Sequence, residues 1–77
     1  MISPAQCRAA RGLLDWTQDD LAKAAEVGVV TIRQFEADKG SPRRATVTVI
    51  YRALETAGVQ FIPENGGGAG VRLRVRS

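Results

Sequence analysis

Apolar positions recur at three- and four-residue intervals up to about Gly58, and at two-residue intervals near the C-terminus. The first spacing is that of helices with one buried stripe; the second is that of a strand with one buried face. Ser3-Pro4-Ala5-Gln6 opens the first helix. Ser3 can cap, Pro4 suits the first turn, and Gln6 can reach back to close a capping box. This helix is predicted to run to about Leu14, with Ala9, Ala10, Leu13 and Leu14 as its buried stripe. Thr17 caps a second helix, in which Leu21, Ala22 and Ala25 form a narrow apolar face and Asp19 and Asp20 sit at the positive end of the helix dipole. Glu26-Val27-Gly28 breaks the pattern. Gly28 is expected to supply the backbone angles of the turn and to cap a third helix, about Val29 to Ala37, with Ile32 and Phe35 facing inward. Gly40 and Pro42 stop that helix. Thr46 is predicted to cap a fourth, Val47 to Ala57, packing through Val47, Ile50, Leu54 and Ala57 and ended by Gly58 in a left-handed cap. Tyr51 is expected on a more exposed face, where it could meet a partner.

The end of the chain changes period. Val59-Gln60-Phe61-Ile62 has strand residues, Pro63 to Gly70 is a glycine-rich connection, and Val71-Arg72-Leu73-Arg74-Val75-Arg76 alternates strictly. This predicts a two-stranded hairpin with an apolar and a basic face. Such a ribbon is marginal alone, so its apolar face must pack on the helices or on a second subunit. The glycine run is not a phosphate-binding loop, because neither Lys-Ser/Thr nor a helix follows it. The organisation expected is a helical domain over 1–58 and a hairpin extension over 59–77 in the same compact unit.

The second and third helices, joined by a tight turn containing Gly28, have the form of a helix-turn-helix. Composition sharpens the picture. The chain has 77 residues, a net charge of +3, one cysteine and no histidine. It is one small domain, marginal alone. The cations Arg33, Lys39, Arg43, Arg44 and Arg52 gather at and after the third helix, whereas Asp15, Asp19, Asp20 and Glu26 precede it. This is the charge distribution of a nucleic-acid binder. One cysteine excludes an internal disulfide, and in the absence of histidine neither a zinc site nor a Cys-His nucleophile pair is expected. Cys7 reads as a small buried hydrophobe and Trp16 as a core aromatic between the first two helices. No catalytic constellation and no need for a cofactor emerge, so an enzyme is not expected. Without an apolar run of membrane length or a signal-peptide pattern, the expectation is a cytoplasmic protein away from membranes.

The pattern Thr17-Gln18-x-x-Leu21-Ala22, then Val27, then Thr31-Ile32-x-x-Phe35-Glu36, resembles the lambda-repressor-like (Cro/repressor, XRE-type) helix-turn-helix family over roughly residues 5 to 58. Many members carry Ser or Thr where this chain has Gly28, and polar base readers where it has Val29 and Val30. The resemblance implies a mainly α fold, a four-to-five-helix bundle, here with the C-terminal β-hairpin added. It implies an ion pair between Arg11 and Glu36, tying the first helix to the end of the third. It also implies a DNA-binding transcriptional regulator, the third helix entering the major groove of double-stranded DNA. On that placement Val29, Val30, Arg33 and Gln34 are the base readers, and Gln18, Thr31, Lys39, Arg43 and Arg44 the backbone contacts. A homodimer on an inverted-repeat operator is expected, with Tyr51, Val59, Phe61, Val71, Leu73 and Val75 as its interface. The alternative is a protein-interaction module, antitoxin-like or anti-activator, on the same scaffold, with a regulatory protein as partner.

Overall fold

The computed structural model describes residues 2–40 and 42–74. Its elements are helices α1 (Pro4–Leu14), α2 (Gln18–Ala25), α3 (Val29–Glu36) and α4 (Arg44–Thr56), then strands β1 (Val59–Ile62) and β2 (Gly70–Leu73). The fold is a helical bundle carrying a C-terminal antiparallel hairpin.

The helix starts follow from local chemistry. Ser3 and Gln6 close a full capping box on α1, and Thr17 with Asp20 closes another on α2. Each box satisfies two backbone donors that would otherwise lack partners. α4 departs from the sequence expectation. It begins at Arg44 with Arg43 as N-cap, and Thr46 lies inside it rather than capping it. Arg44 and Ala45 are strong helix formers, so the helix extends back towards Pro42 past the threonine. Gly58 takes a left-handed φ of 111° after the last turn, as expected.

The turn between α2 and α3 also differs. Gly28 has φ −69°, open to any residue, and the left-handed position falls on Glu26 at φ 59°. α2 ends two residues earlier than a turn centred on Gly28 would require, so Glu26 carries the reversal.

The core is built from Leu21, Ile32, Ile50, Leu54 and Val59, all fully enclosed, with Cys7 and Ala10 from α1. α1 therefore presents a different face from the one its apolar residues suggested. Gln6, Cys7 and Ala10 are buried, Ala9 is exposed, Leu13 is 41% exposed and Leu14 is half-buried. The hairpin accounts for the polar member of this face. The Gln6 side-chain amide donates to the carbonyls of Ile62 (3.4 Å) and Gly70 (3.1 Å), so this residue is buried beneath the hairpin with its donors satisfied.

In the hairpin Val59 lies opposite Leu73, Phe61 opposite Val71, and Gln60 opposite Arg72. Cross-strand partners share a face. Val59, Phe61 and Val71 pack on the helical core, and Arg72 Nε donates to Gln60 Oε1 at 2.8 Å on the outer face. The hairpin thus closes on its own helices. The Tyr51 ring lies 5.2 Å from that of Phe61, and the Tyr51 hydroxyl donates to Glu55 Oε2 at 2.8 Å. This bears on the expected dimer surface by showing how much of each residue one chain leaves exposed. Val59 has no exposed area to offer a partner, and Tyr51, Phe61 and Val71 are half-buried within the chain; only Leu73 is largely free, at 46% exposed. Val75 and Arg76 fall outside the described residues.

Candidate nucleic-acid interface

α3 buries Ile32, Phe35 and Glu36 and turns Val30, Arg33 and Gln34 to solvent. The exposed three stand at i, i+3 and i+4, on one face of the helix. Val30 is 55% exposed, high for a valine. Beside this stripe lies a shallow cleft of about 250 Å³ whose lining includes Thr31, Gln34, Lys39, Arg43 and Thr46. It brings together the third helix, the loop after it and the entry to α4. The cleft wall supplies two cations, two hydroxyls and an amide, and Arg44 is exposed on the first turn of α4. That is a donor-rich surface suited to phosphate oxygens.

The C-terminal end of α3 is tied down by α1 and α2. Glu36 is 4% exposed. Arg11 grips its carboxylate with both arms of the fork, Nε to Oε2 and Nη2 to Oε1, each at 2.7 Å. Gln18 Nε2 donates to Oε1 at 3.0 Å, and the Cys7 thiol donates to Oε2 at 3.2 Å. Arg8 Nη1 donates to the backbone carbonyl of Glu36, one of the carbonyls a helix end leaves without an internal partner. Arg11 Nη1 also donates to the carbonyl of Trp16 at 3.0 Å, fixing the corner between α1 and α2. Among the described residues no buried side-chain nitrogen or oxygen lacks a partner.

These contacts set the charge states. Burial pushes the Glu36 carboxyl up, but the hydrogen bonds from Arg11, Gln18 and Cys7 and the charge of Arg11 outweigh it, leaving the group below the ordinary glutamate value. Burial and the neighbouring Glu36 carboxylate push the Cys7 thiol far up, so it stays a neutral donor. The Arg11 guanidinium is held more firmly protonated by its hydrogen bonds to Glu36. The one acid on the inner side of α3 is thereby neutralised internally.

Residues 8–60 match the model of HTH_3, a helix-turn-helix family, and these residues are more than half of the chain. The chain belongs to the HTH_3, lambda-repressor-like helix-turn-helix family. Its motif is α2, the turn and α3, and it is a DNA-binding regulator of the helix-turn-helix kind. The family is a regulatory rather than an enzymatic one. A search of curated proteins finds no match. No described helix is long and apolar enough to cross a membrane, and no described group of His, Cys, Asp and Glu could hold a metal ion.

Within this helix-turn-helix, the residues named from the sequence fall into three groups. Val30, Arg33 and Gln34 share the open face of α3, whereas Val29 is half-buried and packs against the core. Thr31, Lys39 and Arg43 meet in the cleft, with Arg44 exposed on the first turn of α4. Gln18 sits at the first turn of α2, but one amide hydrogen is committed to Glu36, so what it offers a phosphate is its backbone N–H and its remaining amide hydrogen.

Three contributors escaped the sequence reading: Gln6, taken only as a cap, Cys7, taken only as a small hydrophobe, and Arg8. A usable signal existed. Cys7 and Arg8 stand four and three residues before Arg11, which places all three side by side on a helix.

Proposed function

We propose that this helix-turn-helix protein is a sequence-specific transcriptional regulator that lays α3 into the major groove and binds an inverted-repeat operator as a two-fold dimer. The observation that supports this best is the open stripe of Val30, Arg33 and Gln34 directly beside the cationic cleft of Lys39 and Arg43. A groove-reading helix needs both: side chains that reach base edges, and donors alongside that hold the phosphates and fix the register. Gln34 can bond adenine through both ends of its amide, Arg33 can reach guanine or a phosphate, and Val30 can lie against a thymine methyl. Lys39, Arg43, Arg44, Thr31 and Gln18 contact the backbone. Dimerisation doubles a contact set that is small for one domain of this size, and it places two α3 helices about 34 Å apart on one face of the duplex.

Selection of bound sequences from a random duplex pool tests the reading. The expected result is an enriched motif made of two inverted half-sites about one helical turn apart. A pool that shows no enrichment over many rounds would overturn sequence-specific binding and favour the protein-interaction alternative.

A further inference from the structure

A second surface feature lies outside the proposed DNA contacts. α2 and α4 pack together, and between their C-terminal halves runs an open groove of about 500 Å³. Its lining includes Trp16, Ala24, Ala53 and Val49, the last 38% exposed. Two charges border it: Glu26 from the turn after α2, and Arg52 from α4. Both are exposed, and among the described residues the chain's one ion pair is Arg11 with Glu36, so neither Glu26 nor Arg52 has an ionic partner.

We propose that this groove is where a second copy of the chain docks, two-fold symmetrically, with Glu26 of each copy paired to Arg52 of the other. The charge arrangement favours this occupant. An isologous interface must be complementary to itself. A patch with one acid and one base flanking an apolar centre meets that requirement, because the two-fold axis brings each charge opposite its opposite. The small residues Ala24 on α2 and Ala53 on α4 let the two copies approach closely, and Val49 adds exposed apolar surface to the contact. The hairpin is less suited. Its apolar face is largely used inside the chain, and what it turns outward includes Arg72, which would face its own copy with like charge. The proposal names the interface of the dimer inferred above and rests on that reading.

Sedimentation equilibrium of the free full chain, with folding monitored by circular dichroism, tests it. The wild type is expected to dimerise at tens of micromolar or below. Glu26→Arg and Arg52→Glu alone each set like charges together twice per dimer and should weaken association on the order of tenfold or more. The Glu26→Arg/Arg52→Glu double variant should recover most of the loss. Leu73→Lys, on the hairpin, should leave association unchanged. A wild type that remains monomeric, a dimer indifferent to both charge reversals, a double variant no better than the singles, or a dimer dissociated by Leu73→Lys would each overturn the proposal. None of these readouts uses DNA, so the interface can fail while the selected operator motif stands, and the reverse.

Discussion

The two ends of α3 are held in opposite ways. At the C-terminal end, Glu36 is enclosed and receives hydrogen bonds from Cys7, Arg8, Arg11 and Gln18, which come from two other helices. At the N-terminal end, Gly28 caps the helix without any side-chain hydrogen bond, and Val30 projects into solvent. One end of the helix is thus fixed to the bundle, and the other is left with free backbone N–H groups facing outward. For a helix that enters a groove, this division is useful. The buried end sets its angle against α1 and α2, while the open end leaves its donors and apolar surface available for the groove contact proposed above.

Breaking the fixed end should have the largest effect. Arg11→Ala leaves Glu36 buried without its main counter-charge, and Glu36→Ala leaves three side-chain donors without their acceptor. Each should destabilise the fold by about 3–5 kcal/mol, a large share of the stability of a domain this small. Because both changes remove the same interaction, the double variant should cost much less than the sum, and denaturant melts of the four proteins check this. A strictly additive cycle with small individual losses would make the network ornamental. The pH dependence has a definite sign. Glu36 has a folded pKa below its ordinary value, so its contribution is fully present above the unfolded glutamate pKa and is lost as pH falls through the lower, folded value. Melting temperature should therefore drop on acidification below about pH 4.5, and the Glu36→Ala variant should show a shallower drop.

The open end is tested on DNA rather than on stability. Gln34→Ala should leave the melting temperature nearly unchanged and cost roughly 1–3 kcal/mol on the selected site, with relaxed preference at one base pair. Arg43→Ala should weaken binding to all duplexes alike and reduce the salt slope by about one unit. If Gln34→Ala changed neither affinity nor preference, α3 would not be reading bases through this stripe.

The difference between the two ends also explains what the sequence could and could not tell. The motif was legible because its signals are local. Thr17 announces the start of α2, Leu21, Ala22 and Ala25 give its buried face, and Ile32 and Phe35 give that of α3; all of these lie where their spacing put them. The α1 face was misread because its packing depends on a hairpin more than fifty residues away. Nothing in the local pattern says that Gln6 will lie beneath two hairpin carbonyls while Leu13 points to water. The start of α4 was misplaced because a good capping residue, Thr46, competes with the helix-forming Arg44 and Ala45, and propensity over a turn won. The cleft beside Gln34 was assembled from single residues named separately, and its existence depends on how the loop at Lys39 folds against α4, which periodicity does not encode.

The smallest expected effect concerns the uncapped start of α3. Gly28 has φ −69° and ψ 147°, ordinary N-cap geometry that a serine adopts without strain. A Cβ built there meets nothing closer than Thr31 Oγ1 at 4.0 Å, so there is room for the side chain. Serine would add an oxygen that can accept from a free N–H of the first turn, and it would reduce the freedom of the unfolded chain relative to glycine. Both effects stabilise, but glycine is itself a tolerable cap, so Gly28→Ser should raise stability by only a few tenths of a kcal/mol. Its effect on DNA is more informative than its size suggests. If the free N–H groups at this end are reserved for a phosphate, the serine oxygen competes for one of them while its hydroxyl hydrogen offers a replacement donor, and affinity should move by less than about threefold in either direction. A Gly28→Ser protein that is destabilised would mean the turn needs glycine for a reason its backbone angles do not show. A large loss of DNA affinity with stability intact would place the phosphate closer to this cap than to the cleft at Lys39 and Arg43.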